Sequence, residues 1–230
     1  MPPDDGPPIH EHQIQVERTA RYHVLGAAGP DVHRCWFVLH GYGQLAASLL
    51  RGSAPLAAPD AIVVAPEALS RFYLNPVSPV DHANARVGAS WMTREAREAE
   101  IADYVAYLDR LHAEIRGECG GGPLETRVLG FSQGVATAVR WALLGKIEPP
   151  RQLLLWAGHL PPEIWTDQAL TRLGASELVL AAGDADPFLA PDELARTVER
   201  LDAFGYRARP FGFAGGHTIT QEAVARALAL

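Results

Sequence analysis

Long hydrophobic runs are absent from the sequence. The longest uninterrupted apolar run has five residues, for example Cys35 to Leu39, whereas a membrane-spanning helix needs about 20. The first residues, Met1 to Pro8, are acidic and rich in proline. They have neither the basic start nor the apolar stretch of a signal peptide. We therefore expect no membrane span and a cytoplasmic protein.

Cysteine and positive charge are also scarce. Two cysteines, Cys35 and Cys119, are too few for a disulfide framework, and we expect both to be free thiols. The 20 basic and 27 acidic residues give a net charge of −7. Nucleic acid is therefore not an expected partner, because it needs a basic patch. The sequence has no nucleotide-binding fingerprint and no convincing metal-ligand cluster, so we expect no cofactor and no metal.

The sequence does contain a regular alternation of strand-like and helix-like segments. Its 230 residues and 48% hydrophobic content suit one α/β domain. We expect a flexible proline-rich tail over residues 1–10 and a single domain over residues 11–230. The segments predicted to be buried strands are Cys35–Leu39, Ala61–Ala65, Arg127–Leu129, Leu153–Ala157, Leu178–Ala182 and Arg207–Phe213. The segments with helical periodicity are Arg94–Arg116, capped by Thr93, and Ser132–Leu144, Pro191–Phe204 and Thr218–Leu230.

This order of segments predicts a mostly parallel central sheet with helices on both faces. Gln13–Glu17 and Arg21–Leu25 alternate polar and apolar residues and are predicted to form an antiparallel pair at the N-terminal edge. Only 19 residues separate Ala157 from Glu177, so no separate cap domain is expected there. The 27 residues from Pro66 to Met92 have no clear period. They are either a lid or binding loop, or a plain surface connection.

A Gly-x-Ser-x-Gly motif stands between a predicted strand and a predicted helix. It reads Gly130-Phe131-Ser132-Gln133-Gly134. The motif alone is weak evidence, but the strand–turn–helix context is that of a nucleophile elbow. In such an elbow the serine lies on a tight turn, and the N-terminus of the helix points free N–H groups at it. Ser132 is therefore predicted to be a nucleophile.

A serine nucleophile needs a base and an acid that orients the base. In proteins with this elbow the chain order is serine, acid, histidine. His217 precedes the last predicted helix and is the predicted base. Asp184 and Asp186 both follow a predicted strand, and one of them could instead cap the turn. Asp186 is favoured as the acid.

The reaction also needs two backbone N–H groups to bind an oxyanion. Gln133, directly after the nucleophile, is one predicted donor. Tyr42, in the glycine-rich loop His40-Gly41-Tyr42-Gly43 after a predicted strand, is the other. His40 lies outside the serine–acid–histidine order and is predicted to be structural.

Taken together, these residues resemble the carboxylesterase/phospholipase family of α/β-hydrolases, which includes acyl-protein thioesterases and small bacterial esterases. The matching motifs are His40-Gly41-Tyr42-Gly43, Ser90-Trp91, Gly130-Phe131-Ser132-Gln133-Gly134, Gly183-Asp184-Ala185-Asp186-Pro187 and Gly216-His217. The resemblance implies the α/β-hydrolase fold, and it implies that Asp186 is the acid. The sequence departs from the family at Phe188-Leu189-Ala190-Pro191, where the family reads Val-x-Pro, and at the insert-like stretch Pro76–Arg86.

The expected activity is hydrolysis of small-molecule carboxylic esters, with short acyl groups, through an acyl-enzyme. Alternatives are a thioesterase, including an acyl-protein thioesterase, a lysophospholipase, and a non-catalytic ligand-binding protein on the same fold. We expect a monomer or a homodimer. The candidate pocket residues are Phe72, Tyr73, Trp91, Phe131, His159 and Phe188. Trp156 and Trp165 are further candidates for an acyl wall, although buried aromatic residues often belong to the core.

Overall fold

The computed structural model describes residues 9–75 and 84–229. Its strands are β1 (Tyr22–Leu25), β2 (Arg34–Leu39), β3 (Ala61–Pro66), β4 (Ser70–Tyr73), β5 (Val87–Ser90), β6 (Glu125–Phe131), β7 (Gln152–Trp156), β8 (Glu177–Gly183) and β9 (Ala208–Phe213). Its helices are α1 (Ala46–Gly52), α2 (Arg97–Glu118), α3 (Gln133–Leu144), α4 (Asp167–Leu173), α5 (Glu193–Ala203) and α6 (Gln221–Leu228). Of the predicted tail, residues 1–8 lie outside the described residues, and the adjoining Ile9 and His10 are exposed.

Seven of these strands form the central sheet, in the order β1-β3-β2-β6-β7-β8-β9. β1 runs antiparallel to β3, and the other neighbouring pairs are parallel. The predicted fold class, a mostly parallel sheet with an antiparallel N-terminal edge, is confirmed. The partner of the edge strand was predicted wrongly. Gln13–Glu17 is fully exposed and forms no strand, because it has no apolar surface to lie on, whereas β3 offers β1 a buried one.

Helices cover both faces of the sheet, as the alternation of segments predicts. One face packs against α2, α3, α4 and α5 around buried residues that include Phe37, Leu108 and Trp141. The other packs against α1 and α6 around Trp36 and Trp156. The parallel strands are buried on both sides, and their carboxyl ends lie in one row along the same edge of the sheet. Ligand sites in sheets of this type are found at that edge.

The connection between β7 and β8 contains a 3₁₀ turn, Pro162–Ile164, and the short helix α4. No cap domain is inserted there, in agreement with the sequence. No helix in the described part of the chain is long and apolar enough to cross a membrane.

Two local predictions need correction. The long helix begins at Arg97 and not at Arg94, because Ala96 has a φ of 46°, outside the helical region. Thr93 therefore does not cap it; its hydroxyl accepts a hydrogen bond from the N–H of Glu95 in a turn before the helix. The segment from Pro66 to Met92 is more ordered than its lack of period suggests, since β4 and β5 pair in it as a two-stranded antiparallel sheet. Residues 76–83, most of the insert-like stretch, lie outside the described residues.

Candidate active site

Ser132 occupies a sharp turn between β6 and α3. Its backbone has φ 54° and ψ −116°, a region that costs energy for a residue with a side chain. Flanking glycines make this turn possible. A Cβ atom at Gly130 would collide with the carbonyl oxygen of Gly134, and one at Gly134 would collide with that of Leu39. The Gly-x-Ser-x-Gly motif is thus a steric requirement of the turn, which sets Ser132 at the carboxyl edge of the sheet.

The three predicted catalytic side chains form one hydrogen-bonded chain. Nε2 of His217 lies 2.9 Å from Oγ of Ser132, although the two residues are 85 positions apart. On its other side, Nδ1 of His217 lies 2.8 Å from Oδ2 of Asp186. The side chain of Asp186 is 1% exposed and that of His217 is 18% exposed. The carboxylate of Asp186 is therefore shielded from water, while the imidazole of His217 is partly exposed.

The first aspartate of the turn, Asp184, makes different contacts. Oδ1 of Asp184 accepts a hydrogen bond from the N–H of Gly215 at 2.9 Å, and the N–H of Ala185 donates to the carbonyl of Gly215 at 2.9 Å. Asp184 thus ties the turn after β8 to the loop that ends at His217. Of the two carboxylates, that of Asp186 contacts the imidazole, which agrees with the preference for Asp186 drawn from the sequence.

Two aromatic rings and one indole hold His217 in place. The ring of Phe131 lies 5.0 Å from the imidazole, and the ring of Phe188 meets it edge-on at 4.6 Å. The N–H of Phe188 donates to Oδ1 of Asp186 at 2.8 Å, which links this ring to the acid. The indole N–H of Trp156 donates to the carbonyl of Thr218 at 2.9 Å, directly after the histidine. The base has therefore little freedom to rotate away from Ser132.

The N–H groups of Tyr42 and Gln133 lie in the two loops that border the nucleophile. A Cβ atom at Gly41 would lie 3.0 Å from Cβ of Ser132, so the loop that carries Tyr42 packs directly against the serine. Gln133 is the first residue of α3, where backbone N–H groups lack helical partners. Neither N–H donates to an acceptor within residues 9–75 and 84–229. Both are available to a negatively charged oxygen formed at Ser132.

Solved structures of esterases and of a thioesterase share this fold. Esterase PE8 superimposes with a TM-score of 0.66 at 24% identity, with 92% of this chain and 97% of that chain covered. Acyl-protein thioesterase 2 of Zea mays gives a TM-score of 0.61 at 19% identity, covering 92% and 98% of the two chains. The Bacillus cereus carboxylesterase gives 0.63 at 17% identity, covering 90% and 91%. The chain has the α/β-hydrolase fold. No protein-family model and no curated protein matches the sequence.

His40 is a structural residue of this α/β-hydrolase fold. Its Nε2 accepts a hydrogen bond from the N–H of Ala68 at 3.0 Å, and its Nδ1 lies 2.8 Å from the carbonyl oxygen of Gly41. Burial lowers the pKa of His40, which keeps the ring neutral with one donor and one acceptor nitrogen. With both nitrogens occupied, the ring has no site left from which to act as a base.

The candidate pocket residues separate into three groups. Phe131 and Phe188 contact His217, and Phe188 is 69% exposed. Phe72 lies beside the loop that carries Tyr42, and the centres of the two rings are 5.1 Å apart. The neighbouring Tyr73 is half exposed. These four remain candidates for contact with a substrate.

The third group lies away from a pocket. Trp91 is in the core, because its indole N–H finds an acceptor inward, the carbonyl of His40 at 2.8 Å. His159 is at the surface, with Nδ1 3.3 Å from Oε1 of Glu193, and does not form a pocket floor. Trp156 is buried under the loop of His217, and Trp165 packs against Phe204 and Arg200. None of these four forms an acyl wall.

A buried carboxylate near the site was missed at the level of sequence. The side chain of Glu67, at the end of β3, is 0% exposed. It accepts hydrogen bonds from Arg21 at 2.6 and 3.0 Å and from Arg71 at 3.4 Å. Burial alone would raise the pKa of Glu67, but the hydrogen bonds and charge of the arginines outweigh it and lower that pKa. The available signal was a glutamate, Glu67, directly after the wholly apolar strand β3.

Replacing Glu67 by glutamine is expected to reduce the free energy of unfolding by about 1–3 kcal/mol at pH 7, the range for hydrogen bonds to a charged group. The pKa of Glu67 is lower in the folded protein than in the unfolded chain. The contribution of its carboxylate to the free energy of unfolding is therefore complete above the pKa of the unfolded chain, and it is lost as the pH falls through the pKa of the folded protein. The difference between the two proteins should therefore shrink in acid. Urea unfolding of both proteins between pH 7 and pH 3 measures it.

The matched control is Glu95→Gln, which removes an ion pair with Arg94 whose side chains are 85% and 94% exposed. Exposed pairs of this kind contribute little, so this variant should unfold like the parent at every pH. A Glu67→Gln difference that stays constant down to pH 3 would contradict the assignment of a charged, paired carboxylate.

Proposed function

We propose that this protein is a serine hydrolase that cleaves carboxylic esters through an acyl-enzyme. The proposal rests on one observation, the hydrogen-bonded chain of Ser132, His217 and Asp186 beside two N–H groups that have no acceptor in the described part of the chain. Separately, each of these features has ordinary structural explanations. Their meeting at the carboxyl edge of the sheet matches the requirements of acyl transfer.

In the first half of the proposed reaction, Oγ of Ser132 attacks the ester carbonyl. Nε2 of His217 takes the serine proton, and Asp186 stabilises the imidazolium that forms. The electron pair of the carbonyl moves to its oxygen, which binds the N–H groups of Tyr42 and Gln133. When the tetrahedral intermediate collapses, the bond to the alcohol breaks and His217 protonates the leaving oxygen.

In the second half, water takes the place of the alcohol. His217 accepts a proton from the water as the water oxygen attacks the acyl carbonyl, and the same two N–H groups bind the second oxyanion. The bond to Oγ then breaks, the carboxylic acid is released and the proton returns from His217 to Ser132. Acid, base and nucleophile are therefore all restored after one cycle.

A thioesterase, including an acyl-protein thioesterase, would use the same residues and steps. One neighbour in structure is named an acyl-protein thioesterase, which keeps this activity as the second candidate. A lysophospholipase would also use them. The contacts at Ser132 act on the carbonyl group and on the leaving atom, which is oxygen in an ester and sulfur in a thioester. They therefore do not distinguish between the two kinds of substrate.

A fluorophosphonate probe tests the proposal, because it reacts with an activated serine and leaves an ordinary hydroxyl unmodified. We expect one covalent label, located on Ser132 by mass spectrometry of the digested protein. A panel of oxygen and sulfur esters with the same acyl groups then separates esterase from thioesterase. Absence of labelling together with absence of turnover would instead identify a ligand-binding protein on the same fold.

Esters with short acyl groups are expected to be the best substrates. No cap covers the site from the β7–β8 connection, and Tyr42 and Phe188 beside it are 61% and 69% exposed. Each buried methylene contributes about 0.8 kcal/mol, but only while the acyl chain still contacts an apolar wall. We therefore expect kcat/KM for p-nitrophenyl esters to reach a maximum at short chains and to fall for long ones.

The same reasoning predicts no increase in rate when the substrate aggregates, because no cap has to open. The rates should be measured with each ester below and above its aggregation point. A preference for long chains, or a sharp activation at the aggregation point, would show that the segment from Pro66 to Met92 acts as a lid.

A further inference from the structure

The side chain of Gln133 binds the backbone that follows β5. Its Oε1 accepts from the N–H of Trp91 at 3.0 Å, and its Nε2 donates to the carbonyl of Met92 at 2.8 Å. The buried hydroxyl of Ser90 lies 3.2 Å from Nε2 and donates to the carbonyl of Met92 at 2.8 Å. Both ends of the amide are therefore occupied. These contacts use the side chain and leave the backbone N–H of the same residue for its proposed role as an oxyanion donor.

β5 is also bound, through Ala89, to the loop that carries Tyr42. The N–H of Gly43 donates to the carbonyl of Ala89 at 2.9 Å, and the N–H of Ala89 donates to the carbonyl of Gln44 at 3.1 Å. These bonds bracket the turn next to Tyr42. Contact is also close sterically, because a Cβ atom at Gly88 would collide with the backbone of Gly43.

β5 and the two residues after it, Trp91 and Met92, thus connect the two loops from which the proposed oxyanion donors come. A second bond runs in the same direction, from the indole N–H of Trp91 to the carbonyl of His40 at 2.8 Å. An oxyanion hole stabilises charge only if its donors are held in place before the charge appears. Two donors on separate loops need a common rigid support to meet this condition.

We propose that the side chain of Gln133 is a positioning group which, through β5, fixes the separation of the N–H donors of Tyr42 and Gln133; this inference rests on the proposed function. The amide does not touch the substrate. It acts by attaching the first turn of α3 to the strand that also holds the Tyr42 loop. Its loss should weaken binding of the tetrahedral intermediate and leave binding of the planar ester nearly unchanged.

The test is Gln133→Met, which keeps the backbone N–H and the length of the side chain but removes both hydrogen-bonding ends. Complete loss of one oxyanion donor lowers kcat by about 10²–10³-fold. A displaced donor should have a smaller effect, and we expect kcat/KM for a butyrate ester to fall about 10–100-fold. The Ki of a short-chain trifluoromethyl ketone, which forms a charged tetrahedral adduct, should rise by the same factor. The Ki of the matching alcohol, which forms no adduct, should stay within about threefold.

Gln168→Met is the matched control, because Gln168 is exposed on α4, away from the site. A second variant, Gly88→Ala, disturbs the opposite end of β5. If β5 transmits the effect, the double variant should lose less activity than the product of the two single losses, the sign of coupled sites. Ser90→Ala removes one contact of the amide and should produce a smaller loss of the same kind, should Gln133→Met prove unstable by circular dichroism.

The proposal is overturned if Gln133→Met keeps kcat/KM and the ketone Ki within threefold of the parent, or if ketone and alcohol lose affinity equally. Failure of the proposed function would look different, since fluorophosphonate labelling and Ser132-dependent turnover would then be absent in the parent protein as well.

Discussion

Ser132→Ala is expected to reduce kcat for ester hydrolysis by about 10⁴-fold or more, leaving only the contribution of binding and of the oxyanion donors. The protein should remain folded, because the hydroxyl is replaced by hydrogen and the turn is held by the backbone. The N–H of residue 132 still donates to the carbonyl of Trp156, a bond of 2.8 Å in the parent. Steady-state kinetics with a p-nitrophenyl ester, together with circular dichroism, measure both quantities.

Ser48→Ala is a suitable control, since Ser48 is an exposed serine on α1 that lies outside the catalytic chain. It should hydrolyse the ester at the rate of the parent. Activity of Ser132→Ala near that of the parent would remove Ser132 from the mechanism and with it the proposed function.

The second large effect is expected from the two aspartates of the turn after β8. Asp186→Asn should lower kcat by about 10⁴-fold, because an amide in contact with Nδ1 favours the wrong tautomer of His217. Asp184→Asn should lower it less than about tenfold, because the amide oxygen can still accept the hydrogen bond from Gly215. The two variants are matched in chemistry and in size, so their ratio isolates the role of each carboxylate.

The pH dependence of kcat/KM of both variants completes this comparison. Asp184→Asn should keep the shape of the parent profile, while Asp186→Asn should change it, since only Asp186 contacts the imidazole of the proposed base. Should Asp184→Asn prove the more damaging of the two, the acid would have to be reassigned to Asp184.

The elements that the sequence predicts correctly are those with a strong local signal. Buried parallel strands are continuous apolar blocks, and the elbow combines a strand, a serine between glycines and a helix, so β6, Ser132 and α3 could be located from the residues alone. The signals for the strands and the elbow are local, because each comes from one segment and its own steric needs. The chain order of serine, acid and histidine is a different signal, since it extends over 85 positions, and it made His217 the candidate base.

The errors concern partners that only the folded chain can supply. Alternation in Gln13–Glu17 is typical of a half-buried strand, but no neighbour buries it. Trp91 is a large aromatic residue of the kind that often lines a pocket. Its indole N–H, however, donates to the buried carbonyl of His40, so the side chain belongs to the core. The preference for Asp186 over Asp184 is not one of these errors, but the contacts that distinguish the two aspartates join residues 31 positions apart. Spacing along the chain contains no information about such distances.

The positive φ of Ser132 lowers the stability of the fold, but it belongs to the turn that presents the proposed nucleophile. Glycine adopts this conformation freely, whereas a residue with a Cβ atom holds it only because β6, α3 and the surrounding bonds enforce it. Selection for thermal stability alone would therefore favour glycine at position 132. A serine in such a turn is what selection for a chemical task would favour, so a strained backbone conformation lies where the proposed chemistry begins.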